Sequence, residues 1–511
     1  MLINKASPYA VSRRRFLRMA GLSGLATAIS ACSSAEPEPV VPTDAPQPPA
    51  PAPTTASEPT TQTGPAPQID PQATRAKPAY DASLATAWMT VSNDPRFCDW
   101  FDNMAEGFAT DNSGLRINTM QCDAGNENLP LVWKSRMADA QAPDAVFVDG
   151  GWLPRLIADN LLEPLDDLMQ TSAYSNANSW SSNVMTIAKH QDKTYGLPLL
   201  LAPNALYYNA GAFEKKGLSA KREDFPKTWD EVRRISKTFT TWNGDTLQSA
   251  GYIPSLKATD LPLWFVLNGG GLFDTNTNKF VIDQERNIEI LQFVLDWYRD
   301  EYRGDAGKVR DNSDFQVQNS FSDTPTAFQR GTLAMTSASI FASNSLASQP
   351  LSAEASNWNV APYPVGPSGK DSTTISSTLW AVLPSKAKHR DDIFKYIDYV
   401  GGKGIVEAPT LDFGVFVPGN KAVTTLKGTK LIEQSRGEAF ATDWLAFFLK
   451  QRDITTVLLD TSPSPVTGFA GDMFLLQMDD IVRGKLKAGE ALRQVQKLCQ
   501  DRLEQALKPH A

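Results

Sequence analysis

Side chains able to perform covalent or metal chemistry are few and scattered in this sequence. It contains 3 histidines and 4 cysteines in 511 residues. His190, His389 and His510 lie far apart and form no metal-ligand spacing. No G-x-S-x-G or H-E-x-x-H motif occurs, and no motif singles out any of the many carboxylates. The sequence therefore predicts no catalytic centre, no metal site and no cofactor.

The cysteines are predicted to have different roles. Cys98 and Cys122 flank the first two predicted strands, so they could form a disulfide outside the cell, and the sequence leaves this pairing open. Cys499 falls in a predicted C-terminal helix, where we expect a buried thiol rather than a reactive one.

The N-terminus, residues 1–31, resembles a twin-arginine export signal of a lipoprotein. Arg13, Arg14 and Arg15 precede Phe-Leu, and the apolar run that follows is shorter than a bilayer span. Small residues then come directly before Cys32, as in a bacterial lipobox. The resemblance implies that Cys32 is lipidated and anchors the protein at the extracytoplasmic face of the bacterial cell membrane.

Residues 32–79 have the composition of a disordered stalk. Proline, alanine, threonine, serine and glutamate dominate, so the segment cannot bury enough apolar area to offset its ordering entropy. Its prolines favour extended polyproline II at about 3.1 Å per residue. We expect this stalk to hold the folded part on the order of 100 Å from its anchor.

The rest of the chain has the size and composition of a protein with two lobes or domains. It is 41% hydrophobic, and 511 residues exceed what one ordinary core holds. A net charge of −8 argues against a nucleic-acid partner bound through its phosphates.

Hydrophobic periodicity predicts an α/β fold with a parallel sheet. Alternating strands and helices of this kind form βαβ units. The predicted strands cover residues 84–91, 115–120 and 145–148, and the predicted helices cover 99–109, 129–140 and 153–162.

Residues 195–209, YGLPLLLAPNALYYN, form the stretch around which the chain is organised. The apolar run fits a strand buried on both faces. Because proline cannot donate a ladder hydrogen bond, Pro203 is expected to rule out one uninterrupted central strand. We interpret the stretch as a hinge that leaves one sheet and enters another near Pro203 and Asn204.

Local signals place several further elements. Thr228 and Glu231 have the spacing of a capping box at a helix start, and residues 268–271, NGGG, indicate a turn. Trp264 and Trp380 lie inside apolar segments and are expected in the core. A C-terminal amphipathic helix is predicted to bury Leu492, Val495, Leu498, Leu503 and Leu507.

An ordered series of short motifs resembles the extracellular solute-binding proteins of ABC importers, in the sugar-binding group that includes maltose-binding protein. The resemblance runs from about residue 80 to the C-terminus. Its main motifs are PDAVFVD at 143–149, LEPL at 162–165, YGLP at 195–198, LYYN at 206–209, PKTWDE at 226–231, NGG at 268–270 and VAP at 360–362.

The resemblance implies a two-lobed, periplasmic-binding-protein-like fold of type II, with the lobes joined by hinge crossings. A second crossing is expected near residues 360–364 and a third near 413–418. The N-terminal lobe would then comprise residues 80–203 plus 362–412, and the C-terminal lobe residues 204–361 plus 413–511.

The resemblance also implies a function. The protein would bind a mono- or oligosaccharide between its lobes and deliver it, as a monomer, to ABC permease subunits driven by a cytoplasmic ATPase. The same fold binding a peptide, a polyamine or a metal complex is the alternative. A secreted carbohydrate-active enzyme is disfavoured because no acid/base pair or nucleophile is marked by a motif.

A sugar-binding site needs aromatic rings that stack on the apolar faces of the sugar and polar groups that hydrogen-bond to its hydroxyls. In α/β folds, ligand-binding residues lie just past the carboxyl ends of strands. Some of the candidates also fit a structural role: Trp88 could be core, Trp152 could start a helix and Asp149 could cap it. Phe341 lies where this family often has a stacking tryptophan. The predicted ligand residues are Trp88, Asp149, Trp152, Asn204, Phe341, Ser377, Phe416 and Phe469.

Overall fold

One long strand organises a ten-stranded sheet. The structure is a computed structural model that describes residues 80–90, 95–120, 143–176, 178–274, 276–304, 309, 315, 326–348, 351–353, 355–407, 416–424, 430–456, 466 and 468–508. The predicted signal, Cys32, the stalk, Cys122 and the helix predicted at 129–140 lie outside the described residues. The elements below belong to one compact unit, Asp81–Ala511.

Fourteen strands occur in the described part of the chain. They are β1 (Ala85–Met89), β2 (Ile117–Met120), β3 (Ala145–Asp149), β4 (Lys189–His190), β5 (Lys193–Thr194), β6 (Leu197–Asn209), β7 (Thr241–Asn243), β8 (Thr246–Tyr252), β9 (Phe273–Asp274), β10 (Lys279–Phe280), β11 (Leu333–Ser339), β12 (Trp358–Ala361), β13 (Ser376–Val382) and β14 (Val417–Pro418).

Helices surround the strands. They are α1 (Pro95–Asp111), α2 (Leu153–Ala158), α3 (Asp166–Gln170), α4 (Ser182–Met185), α5 (Ala210–Lys215), α6 (Trp229–Phe239), α7 (Leu261–Leu267), α8 (Glu285–Glu301), α9 (Ala342–Ser348), α10 (Arg390–Tyr399), α11 (Ile405–Glu407), α12 (Lys430–Arg436), α13 (Glu438–Ile454), α14 (Phe469–Val482) and α15 (Ala488–Ala506). Short 3₁₀ turns cover Gly150–Trp152, Thr186–Ala188 and Arg222–Asp224, and a π-helical turn covers Val400–Gly404.

The first group of strands follows the βαβ prediction. β1 lies between β2 and β3 and is parallel to both. β13 then joins β3 to β6 and is antiparallel to each. Ala145–Val148 are fully buried in β3, as a strand covered on both faces requires.

The strand β6 is continuous over 13 residues, so the prediction of a strand interrupted at Pro203 was wrong. The first half pairs with β13 and β14 up to Pro203, and the second half pairs with β11 and β12 from Asn204 onward. Proline is tolerated because β6 changes partners at this position, and the Pro203 carbonyl still accepts a hydrogen bond from Ile340 N at 2.9 Å.

The second group of strands forms around the second half of β6. β11 is antiparallel to β6 and parallel to β8, and β7 pairs with β8 at the edge. β12 pairs with the same half of β6, from Leu206 to Asn209. One strand therefore belongs to two groups, which is the arrangement expected of a shared hinge strand.

The local helix signals are confirmed. Thr228 accepts a hydrogen bond from Glu231 N, and the Glu231 carboxylate accepts one from Thr228 N, which completes the capping box of α6. The turn after α7 contains Gly269 at φ +75°, a conformation that favours glycine. Trp264 and Trp380 are buried in the core.

The C-terminal helix α15 is amphipathic, but its apolar face is narrower than predicted. Leu492, Val495 and Leu503 are buried, whereas Leu498 and Leu507 are exposed, so the prediction was wrong for these two residues. Cys499 is a buried free thiol, as expected. Cys98 is disulfide-bonded, and the predicted partner Cys122 is outside the described residues.

None of the described helices has both the length and the apolar character needed to cross a bilayer.

Candidate functional site

The strand register brings several predicted ligand residues to the point where β6 changes partners. Asp149, the last residue of β3, pairs with Leu379 of β13, and Ser377 pairs with Ala202 of β6. Because β13 runs antiparallel to both neighbours, Asp149 and Ser377 lie toward the same end of the first group of strands. In β6, the residues at this end of the first group are Pro203 and Asn204, where the strand changes partners.

The second group of strands ends at the same place. Ser339, the last residue of β11, pairs with Asn204, and Phe341 follows two residues later. Phe416 directly precedes β14, in which Val417 pairs with Leu201. Candidate residues from both groups therefore meet around Asn204.

Asp149 combines a structural and an accessible carboxylate oxygen. It is the N-cap of the turn Gly150–Trp152, and its Oδ1 accepts a hydrogen bond from Gly151 N at 2.9 Å. The residue as a whole is exposed, although protein atoms surround its carboxyl group. This partial burial raises the pKa of the Asp149 carboxyl, and the Gly151 N–H partly opposes the rise.

A close contact fixes the turn that follows Asp149. A Cβ on Gly150 would lie 2.2 Å from Thr378 Oγ1 and 2.8 Å from Trp380 Nε1, so only glycine fits there. These two side chains also bond to each other, with Trp380 Nε1 donating to Thr378 Oγ1 at 2.8 Å. The packing holds Trp152, which is half-buried at the end of the turn, in a defined position.

Asn204 is half-buried and linked to the segment that leads into β13. Its backbone N donates to Ile375 O at 2.8 Å, and Thr374 Oγ1 donates to the Asn204 carbonyl. Burial raises the pKa of the Tyr363 hydroxyl, and a hydrogen bond with the Asn204 side chain is among the contacts that oppose the rise. Sequence reasoning missed Tyr363, although a tyrosine between Pro362 and Pro364 was a signal for a constrained position at a crossing.

Two of the predicted aromatic ligand residues contact each other. The rings of Phe341 and Phe416 pack edge to face, with centroids 4.7 Å apart and an interplanar angle of 83°. Both side chains are half-buried, so part of each ring remains accessible.

For the remaining predicted ligand residues, the structure gives less evidence that they lie near Asn204. Trp88 is 1% exposed in β1, so the structure places it in the core, the alternative role considered for it. Phe469 is half-buried at the first position of α14, and the strand register does not define its distance from Asn204. The side chain of Ser377 lies outside the description. Ligand contact by all of these residues stays a prediction.

Within the described part of the chain, no group of three or more histidine, cysteine or acidic residues could hold a metal ion. The candidate site instead consists of aromatic rings, one carboxylate and one amide around β6.

The sequence matches the family model described as bacterial extracellular solute-binding protein over residues 99–407, more than half of the chain. The chain belongs to this family. The family is one of extracellular solute-binding proteins, and the two-lobed α/β fold agrees with that membership.

Individual relatives are distant. A binding protein of Brucella abortus is 22% identical over 347 residues, covering 67% of this chain and 78% of that protein. Among solved structures, the cyclic α-maltosyl-1,6-maltose binding protein from Arthrobacter globiformis has a TM-score of 0.62 at 16% identity, covering 83% of this chain and 99% of its own. A Thermotoga lettingae solute-binding protein bound with α-D-tagatose has a TM-score of 0.60 at 18% identity, covering 82% and 99%. Both structures share the two-lobed fold.

Proposed function

We propose that this protein is the carbohydrate receptor of an ABC importer, which binds a mono- or oligosaccharide between two lobes and delivers it to the permease. The observation that carries the proposal is the convergence of aromatic and polar residues where β6 changes partners. Family membership supports the receptor role. The solutes in the names of the two structural relatives, a cyclic maltosyl-maltose and tagatose, support a carbohydrate.

The proposed roles follow from the chemistry of sugars. The Asp149 carboxylate retains lone pairs beyond the one that accepts from Gly151 N, and these can accept hydrogen bonds from sugar hydroxyls. Trp152 and the Phe341–Phe416 pair offer apolar faces to the C–H groups of a sugar ring. Asn204 supplies an amide between them.

The proposed motion is rotation of the lobes about β6 and the two later crossings. We retain the predicted lobes, residues 80–203 plus 362–412 and residues 204–361 plus 413–511, as part of this proposal. Residues that directly follow the two later crossings form backbone hydrogen bonds with other segments of the chain. Val365 N donates to Lys227 O at 3.0 Å, and Gly419 N donates to Leu199 O at 2.9 Å.

The setting of the receptor is also part of the proposal. Export by the twin-arginine route, lipidation at Cys32 and a stalk over residues 32–79 would keep a monomeric receptor near its permease. The permease subunits and their cytoplasmic ATPase are the proposed protein partners, and the receptor performs no reaction on its solute.

A panel of sugars and polyols tests the proposal by thermal shift. Since a ligand that binds only the folded state raises the melting temperature, at least one carbohydrate should raise it in proportion to the logarithm of its concentration. Trp152→Ala should abolish the shift. Trp242→Ala, a matched change of a half-buried tryptophan on the edge strand β7, should keep it. A panel in which only peptides, polyamines or metal complexes stabilise the protein would overturn the choice of carbohydrate.

A further inference from the structure

A groove of about 950 Å³ lies apart from the residues around Asn204. Its walls come from α5, the turn Arg222–Asp224, β12 and α13. None of the predicted ligand residues lines it. The volume is at the upper end of the range, roughly 300–1,000 Å³, that small-molecule sites occupy.

A buried amide on one wall lacks a partner. Gln451 of α13 is 1% exposed and lines the groove. Its Oε1 accepts no hydrogen bond from any described residue. Because a buried acceptor without a donor costs about as much free energy as a lost hydrogen bond, native structures contain few of them. A ligand N–H in the groove would satisfy this oxygen.

One charged pair in the groove is already satisfied. Arg222 Nη1 and Nη2 bond to the two carboxylate oxygens of Asp443 at 3.0 and 2.7 Å. Arg222 Nε donates to Val360 O at 2.8 Å, and the guanidinium lies 4.7 Å from the Phe447 ring centroid. Arg222 and Asp443 are therefore fixed by each other and offer no free charge to a ligand.

Other charges in the groove are uncommitted. Lys221, Lys227 and Lys450 line it together with Glu214 and Glu223. Across the described ranges, none of these five side chains forms an ion pair. Both signs of charge are thus available to a ligand, and a neutral sugar would use neither.

We propose that this groove is a second ligand site, which binds a short peptide with free termini. The peptide carboxylate pairs with the lysines and its ammonium group with the glutamates. A backbone N–H donates to Gln451 Oε1. Phe447, Pro362 and Ile454 provide apolar surface for the peptide side chains.

Titration calorimetry with trialanine as the probe tests this site on the full chain. We expect saturable binding with one peptide per protein. Gln451→Met removes the acceptor at constant volume and should weaken binding about tenfold, the effect of one lost hydrogen bond of about 1.4 kcal/mol. Gln477→Met is the matched control, since Gln477 is a helical glutamine of α14 whose Oε1 also lacks a partner among the described residues. It should bind trialanine like the unmodified protein.

Two further variants keep the test independent of folding and of the carbohydrate site. Lys450→Gln changes an exposed side chain and should also weaken trialanine binding. Asp149→Ala should leave it unchanged, even if carbohydrate binding is lost. The proposal is overturned if trialanine shows no saturable binding at millimolar concentration. It is equally overturned if acetylated and amidated trialanine binds as tightly, or if Asp149→Ala abolishes the binding.

Discussion

The two halves of β6 are held in place by different forces. The first half, Leu197–Pro203, is aliphatic and buried, and it is fixed by packing and by backbone pairing with β13 and β14. In the second half, side-chain hydrogen bonds add to the packing. Trp444 Nε1 donates to Ser343 Oγ, Ser343 contacts the Tyr207 hydroxyl at 2.8 Å, and Tyr207 donates to Ser339 O.

The buried polar groups extend through the second group of strands. The Tyr208 hydroxyl donates to Ala220 O, and Tyr252 and Ser337 share a hydrogen bond at 2.7 Å. Burial raises the pKa of both β6 tyrosines, so their hydroxyls stay neutral donors. One half of β6 is therefore held by the packing of aliphatic side chains, and the other half by packing together with a network of side-chain hydrogen bonds.

The largest effect is expected in the packed half. Leu200→Ala removes the side chain of a core residue that is 1% exposed and whose backbone pairs with β13 and β14. It should lower the free energy of unfolding by about 2–5 kcal/mol, because a cavity remains. Chemical denaturation measures this loss. The exposed Leu476→Ala on α14 is the control and should change stability by less than about 0.5 kcal/mol. Equal losses of unfolding free energy in the two variants would contradict the conclusion that packing holds the first half of β6.

A smaller loss is expected in the hydrogen-bonded half. Tyr207→Phe keeps the ring and removes the hydroxyl that links Ser343 to Ser339 O. We expect a loss of about 1–2 kcal/mol, since Ser343 keeps its bond from Trp444. The control Tyr174→Phe changes an exposed tyrosine and should be neutral in denaturant unfolding. A neutral Tyr207→Phe would show that the network contributes nothing to the second half.

The second group should also carry a pH dependence through Glu301. This buried carboxyl accepts hydrogen bonds from Ser236 Oγ at 2.5 Å, from Trp297 Nε1 at 2.7 Å and from Thr240. Burial raises its pKa above the usual value of 4.5, and these donors oppose the rise. The folded state therefore binds the proton more tightly than the unfolded chain.

The free energy of unfolding should therefore fall as the pH rises through the pKa of Glu301 in the folded state. The stabilising contribution is complete below pH 4.5 and is lost as the pH rises through the elevated folded pKa. Glu301→Gln, which cannot ionise, should remove this falling segment from a plot of unfolding free energy against pH. Glu490→Gln, on the exposed side of α15, should keep the segment. A Glu301→Gln profile parallel to the unmodified protein would contradict the assignment.

The smallest effect is expected at the end of β6. Asn209 caps α5 by accepting from Ala212 N at 3.0 Å, while its buried Nδ2 finds no acceptor among the described residues. Asn209→Ala loses the cap but also removes an unpaired donor. We expect a loss of about 0.5 kcal/mol, at the low end of the range for N-caps. A loss above about 2 kcal/mol in thermal or denaturant unfolding would mean that Nδ2 is bonded.

Sequence patterns predicted the features that depend on near neighbours in the chain. The capping box at Thr228 and the short buried strand predicted at 145–148 follow from local spacing and composition. Features set by tertiary packing could not be predicted in this way. The continuity of β6 through Pro203 depends on partners more than a hundred residues away.

Burial at single positions was the least predictable part of the site. Trp88 and Trp152 both lie at the ends of apolar runs, yet Trp88 is buried in the core and Trp152 is half-buried. Leu498 and Leu507 fit the apolar period of α15, but no neighbouring element covers them in the described structure. Hydrophobic periodicity predicts which face of a helix or strand is apolar. Whether another element buries that face depends on the tertiary structure.

Small-angle X-ray scattering with and without a bound carbohydrate tests most directly that β6 is a hinge strand shared by two lobes. Rotation of the lobes around a bound sugar should reduce the radius of gyration. Trp152→Ala should keep the radius of the ligand-free protein at the same sugar concentration. A carbohydrate that binds with full thermal stabilisation but leaves the radius of gyration unchanged would contradict the hinge.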